Sequence, residues 1–303
     1  MSAVDMTEPQ FRELFNAVSN WGRWHDDGGR GALNHLTPAR IVAAARLVET
    51  GVTVTLSQPL RTAASIDVPE PADHHMTMLT DVDIGSGSVR FAKDYVGANY
   101  HSDGHTHIDA FCHVAFDGSF FDGKVGAIDV LRDGLVGRGV LLDIPKLRGV
   151  KWLEPGDAVR RAELEEAAEA TGVPLGEGDF LVLRTGHHRR RLELGAWDNG
   201  PPPKGEGKAG VHVDAIPWMH ELKLAAFLPD GDGEAVPSVV EGMGYPIHPL
   251  QVVAMGMLVS DSLQFEDLAQ AVEEEGRSEF MVVGLPLRIL GGTGSPWNPI
   301  AIF

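Results

Sequence analysis

The 303-residue chain carries 13 histidines, and four of them fall within residues 101–113, interleaved with two aspartates. Six side chains in this stretch can bind a metal or move a proton: His101, Asp103, His105, His107, Asp109 and His113. All six have odd numbers. Successive side chains of an extended strand alternate between faces. A strand through this stretch therefore presents all six on one side, with Ile108 and Cys112 on the other. Imidazole nitrogens and carboxylate oxygens are donors that zinc and manganese sites use. A bound divalent ion polarises a carbonyl and lowers the pKa of a coordinated water, which is what amide or ester hydrolysis needs. Ligands two residues apart on a strand are separated by about 7 Å. One ion cannot take all six, so the backbone must bend, and Gly104 is the natural place for the bend.

Other candidate chemistries are weaker. Cys112 and His113 could form a nucleophilic pair, but adjacent strand residues face opposite ways, so Cys112 reads as a small core residue. No Gly-x-Ser-x-Gly turn is present, and the glycine pairs 85/87 and 292/294 lack the third glycine of a dinucleotide fingerprint. They read as turns. The basic island at 187–191 (His-His-Arg-Arg-Arg) reads as a solvated loop, with an anion-binding lid as its functional alternative. Trp21 and Trp24 read as packing residues, and His25, His35, His212 and His220, outside any motif, as structural or surface residues.

Positioning such a site requires a sheet. Residues 52–56, 77–82, 89–91, 139–144, 180–184, 224–228, 258–261 and 280–289 read as strands, several of them short buried apolar runs. Residues 8–19, 161–171, 214–223 and 265–275 read as helices. So do residues 38–50, with Thr37 as cap, Pro38 in the first turn and Gly51 as stop, and with Ile41, Ala44, Ala45 and Val48 facing the core. Residues 200–210, rich in proline and glycine, read as a flexible loop, and the tail from 291 to 303 as irregular. Strands alternating with helices, without a separating linker, predict one α/β domain: a mixed β-sheet core flanked by helices over residues 1–303, with 1–50 as a helical extension packed on it.

Composition narrows the partners. A formal net charge of −18 disfavours nucleic acid and anionic membrane surfaces. One cysteine excludes an internal disulfide. No apolar run approaches the roughly 20 residues of a membrane helix, and the acidic N-terminus lacks a secretory signal. The expectation is a cytoplasmic protein acting on a small molecule.

The stretch resembles the signature His-x-Gly-Thr-His-x-Asp-x-Pro-x-His of the cyclase-type metal hydrolases, which include kynurenine formamidases and isatin hydrolases. Thr106, His107, Asp109 and His113 match it. The register puts Asp103 at the first histidine, His105 at the glycine and Phe111 at the proline. Gly31, Leu33, Asn34, Leu36, Thr37 and Pro38 resemble the Gly-x-Leu-Asn-x-Leu-Thr-Pro of longer members. Residues 178–186 resemble their Gly-Asp…Arg-Thr-Gly strand, and His248 with Asp261, Ser262 and Leu263 resembles their His…Glu-Asn-Leu segment, aspartate replacing glutamate.

The resemblance implies an α/β fold, a homo-oligomer and hydrolysis of a C–N bond in a small amide, formamide or cyclic amide through a water activated by zinc or manganese. His107 and Asp109 would hold the ion, completed by Asp103 by register or by His101 or His105 by chemistry. His248 and Asp261 would help hold a second ion, and His113 would shuttle the proton. The alternatives are a ring-forming cyclase or dehydratase using the same Lewis acid, and a non-catalytic metal-binding member of the fold.

Overall fold

The computed structural model describes residues 4–24, 29–85 and 87–303. Its centre is a nine-stranded mixed sheet. Four parallel neighbours form the middle, in the spatial order Leu135–Asp143, Phe180–Arg184, Ala226–Pro229 and Leu258–Asp261. Strands covered on both faces need apolar residues throughout, and Phe180–Arg184, Ala226–Pro229 and Leu258–Asp261 are buried at every position. Antiparallel strands extend both sides. Glu279–Gly284, Ile300–Ile302 and Thr53–Thr55 add to one, and His107–Asp109 and Gly294–Pro296 to the other. Helices Pro38–Ala45 and Arg161–Thr171 pack against Leu135–Asp143. This is the expected single mixed α/β domain.

The histidine-rich stretch departs from its expected form. Only His107–Asp109 is strand. Residues 102–105 turn, and a Cβ at Gly104 would run into the Val68 side chain, so the bend falls where expected. A second turn follows, closed by the His113 amide donating to the Ala110 carbonyl at 2.9 Å. One continuous face carrying six ligands does not exist.

Other expectations need correction. The second helix stops at Ala45, with Ala45 and Val48 exposed and Ala44 buried, and the turn tightens there: the Arg46 amide donates to the Ala43 carbonyl and the Leu47 amide to the Ala44 carbonyl. The tail is not irregular; it supplies the strands Gly294–Pro296 and Ile300–Ile302, three residues each and too short to show periodicity. The early hairpin pairs Asp73–Met78 with Lys93–Gly97 and is exposed along almost its whole length. The 200–210 loop is clamped: Lys208 and Val236 exchange backbone hydrogen bonds of 3.0 and 2.9 Å, and a Cβ at Gly207 would collide with the Val236 carbonyl. The basic island is neither loop nor lid. It forms the helix His187–Leu194 with His187, His188 and Arg190 buried, Arg190 lying over the Trp197 ring and Arg191 chelating Asp67.

Past the end of Ala226–Pro229, the fully buried Asp230 takes four hydrogen bonds: from the Thr185 amide and hydroxyl and from the Gly186 and His187 amides. It fixes the crossing from Phe180–Arg184 into the helix that follows. Asp230→Ala leaves four buried donors unpaired and should lower unfolding free energy by about 3 kcal/mol or more in urea titration, with Asp230→Asn milder.

Candidate metal centre and its cavity

Sheet register assembles the site. His107 lies opposite Asp261 on one neighbouring strand, and Asp109 lies opposite Gly294 on the other. His107 and Asp109, two apart, share a strand face. The Ser260 hydroxyl donates to the His107 carbonyl at 2.7 Å, and the Thr106 hydroxyl to the Ser262 carbonyl at 2.6 Å. Ser262 adopts a left-handed φ of 57°, a costly conformation for serine held here directly after Asp261.

His101, His107, Asp109, His113, His248 and Asp261 come together. The ligand atoms of His107, Asp109 and Asp261 lie within 4.8 Å of one another, as do those of His101, Asp109 and His113. Asp109 is common to both groups. From its Oδ1, His101 Nδ1 is 3.0 Å and His107 Nε2 3.6 Å away; from its Oδ2, His113 Nε2 is 3.9 Å and His248 Nε2 4.0 Å. Ligands bonded at about 2.1 Å to one ion stand about 3.0 Å apart at right angles and about 3.4 Å apart at the tetrahedral angle, so this spacing is that of donors aimed at common centres. Both Asp109 oxygens, Asp261 Oδ1 and His101 Nδ1 are buried without an aligned hydrogen-bond partner among the described residues. A buried carboxylate left that way demands a cation. The donor set therefore fits a divalent ion.

The imidazoles are pre-set. His107 Nδ1 lies 2.8 Å from the His105 carbonyl, which turns Nε2 toward the carboxylates. His101 Nε2 meets the Thr293 hydroxyl at 3.0 Å, and the His113 ring stacks on His101 at 3.7 Å and 2°. His248 Nδ1 lies 2.9 Å from Glu234 Oε1, which also accepts from the Ile247 and His248 amides, while His248 Nε2 approaches Asp261 Oδ2 at 3.2 Å. A turn of π-helix, Pro249–Ala254, begins directly after it.

Titration follows from this crowding. Burial opposes charge on Asp109, but His101, His107, His113 and His248 hold its carboxyl below the usual range. Burial, with Asp109 adding, pushes Asp261 up to about 8 against the pull of His248. Burial also depresses His107, and lowers His113 to about 4. His248 is raised well above its ordinary value despite burial, through Asp261 and Glu234.

Two expected ligands stand elsewhere. The Asp103 carboxylate accepts from Asn199 Nδ2 and Lys208 Nζ, each at 3.0 Å. Burial opposes its charge, but Lys208 and Asn199 keep its pKa low. The buried His105 ring joins neither group, although its carbonyl orients His107. Cys112 approaches the Gly292 carbonyl with a thiol that burial pushes up, and it shows no activation as a nucleophile. His35, His212 and His220 are structural, bound to Glu177, the Asp214 amide and Asn20; His25 lies outside the described residues.

The centre opens into a cavity of about 560 Å³. Its lining includes His101, His107, His113, His248 and Asp261, and also Asp103, Lys208, Asp232 and Tyr245. Glu234, Asp232 and Lys208 were not anticipated from sequence. The signal for Asp232 and Glu234 was the run Asp230-Gly-Asp-Gly-Glu234 directly after a buried strand, because parallel sheets bind ligands beyond the carboxyl ends of their strands; no local pattern marks Lys208.

The Cyclase family model matches residues 54–231. The chain belongs to the cyclase family. A crystal structure of a novel cyclase is 32% identical, with a TM-score of 0.81 over 94% of this chain and 99% of that one. Isatin hydrolase A from Ralstonia solanacearum is 21% identical at a TM-score of 0.66, covering 87% of this chain and 95% of its own. An isatin hydrolase bound to the product analogue thioisatinate is 24% identical at 0.61, covering 89% and 97%. The likeness to these hydrolases is one of fold. No curated protein matches the sequence.

In this cyclase-family protein there is no room for a side chain at Gly294: a Cβ there would lie 2.5 Å from the Ile108 carbonyl and 2.8 Å from the His101 ring. Gly294→Ala should force its strand away from His107–Asp109, lower the urea midpoint of unfolding, and weaken divalent-ion binding by about 10- to 100-fold in competition titration, the usual cost of disturbing ligand orientation.

Proposed function

We propose that this cyclase-family protein is a metal-dependent hydrolase that opens the C–N bond of a small amide, formamide or cyclic amide. The observation that carries the reading is Asp109: a buried carboxylate, both oxygens without aligned donors, at the junction of two sets of ligand atoms beside a cavity of about 560 Å³. The isatin hydrolases of the same fold support a cyclic amide, since isatin is one.

His107, Asp109 and Asp261, with His248 alongside, would hold one ion; on the other side of Asp109 His101 offers a further donor, and His113 is left free of the ion in this reading. Zinc or manganese bound there supplies a Lewis acid for the amide carbonyl and an acidified water. His113 is the proton carrier in this reading. Its side chain is 31% exposed, against 1% for Asp109, so it reaches the cavity while its ring is held by His101. With a pKa near 4 it is neutral at pH 7, the form that accepts a proton from the attacking water and returns it to the leaving nitrogen. Glu234 fixes the His248 ring and, through it, the Asp261 carboxylate.

Protein purified without chelator should contain zinc or manganese by elemental analysis and hydrolyse isatin or an N-formylarylamine. Asp109→Ala should lose both metal and turnover. His113→Ala should keep the metal and lose about 100-fold or more in kcat, the range of a general acid–base group. A metal-free wild type that gains no activity on adding either ion would overturn the reading.

A further inference from the structure

The wall of the cavity that carries Lys208 is a second built site. Lys208 is buried, with its side chain 5% exposed, yet it lines the cavity. Its ammonium donates to Asp103 Oδ1 at 3.0 Å and to Asp232 Oδ2. Both partners are themselves fixed, Asp103 by Asn199 Nδ2 and Asp232 by the Glu234 amide, each at 3.0 Å. The Lys208 backbone is locked to Val236 by paired hydrogen bonds. Tyr245, also in the lining, has its ring centroid 5.9 Å from Nζ. An ammonium has three donors, and two are committed to aspartates. Two carboxylates more than balance its charge, so it offers a directional hydrogen bond without a net positive field.

We propose that Lys208 is a substrate-anchoring residue. Its remaining N–H binds a neutral acceptor, a carbonyl oxygen of the substrate other than that of the scissile amide. The substrate class is then an uncharged amide carrying a second carbonyl. An anionic group is disfavoured because Asp103 and Asp232 would face it. The inference rests on the hydrolase reading for which bond is cut, but not for what Lys208 binds.

The test compares isatin with 2-oxindole, which is the same lactam without the second carbonyl. Binding is followed by ligand-observed NMR, which also shows whether each probe stays intact, and metal content is measured on the same samples. The expected result is that wild type prefers isatin by about tenfold, the worth of one charge-assisted hydrogen bond, and that Lys208→Met removes the preference with metal content unchanged. Because Lys208→Met strands two buried carboxylates, a triple variant, Lys208→Met with Asp103→Asn and Asp232→Asn, is read in parallel and should also show no preference. Equal preference in wild type and variants overturns the proposal, as does failure of both probes to bind wild type. A wild type that gains no hydrolytic activity on adding zinc or manganese, yet still shows the Lys208-dependent preference, would sink the hydrolase reading and leave this one standing.

Discussion

A carboxylate buried without an aligned hydrogen bond among the described residues is the constraint from which the site follows. Asp109 sits on a three-residue strand between two others, at 1% exposure, where desolvating an anion is expensive. Structural carboxylates in this protein are treated differently: Asp230, equally buried, takes four hydrogen bonds. Around Asp109 the chain places four imidazoles and a second carboxylate instead, none aligned to satisfy its oxygens. Such a cluster lowers its own free energy by taking up positive charge. A divalent ion does so more completely than protons, because it serves several lone pairs at once. The narrowness of the strand matters as well. With His107 facing Asp261 and Asp109 facing Gly294, the flanking strands admit donors only where the register puts them.

The loop after Ala226–Pro229 distributes that constraint to the rest of the cavity. Its carboxylates alternate with glycine, so Asp230, Asp232 and Glu234 each reach a different neighbour: the 185–187 turn, the Lys208 ammonium and the His248 imidazole. Gly233 takes a left-handed φ of 73°, and a Cβ there would strike the Phe227 ring. Gly210 packs so closely on Glu234 and Ala235 that no side chain fits. One five-residue segment therefore ties the parallel core, the polar wall and the wall of candidate metal ligands into a common frame, and small errors in any of them are transmitted to the others.

How much of this was legible in the sequence depended on whether the signal was local. Leu258–Asp261, Phe180–Arg184 and Arg161–Thr171 stand where the pattern put them, because buried runs and a glycine stop are local features. His107 and Asp109 were readable as a pair, and His248 and Asp261 through the family resemblance. The choice among Asp103, His101 and His105 was not readable, since two turns decide it and turns over 102–105 and 111–113 override a period-2 pattern. The clamped 200–210 loop and the buried basic helix were misread for the same reason. Their partners, Val236, Asp67 and Trp197, stand close in space, but composition alone does not reveal the pairing.

The exchange between His101 and Asp103 shows how one bend divides the labour of the cavity. Had the stretch stayed extended, Asp103 would stand three two-residue steps, about 20 Å, from Asp109, and His101 farther still, out of reach of its carboxylate. Turning at Gly104 shortens that separation. It sends Asp103 to Lys208, where a carboxylate meets an ammonium, and leaves His101 with its Nδ1 on Asp109 and its Nε2 on Thr293. An imidazole beside a carboxylate and a carboxylate beside an ammonium are each the favourable pairing. The bend thus separates the cavity into a wall of candidate metal ligands and a wall that carries Lys208.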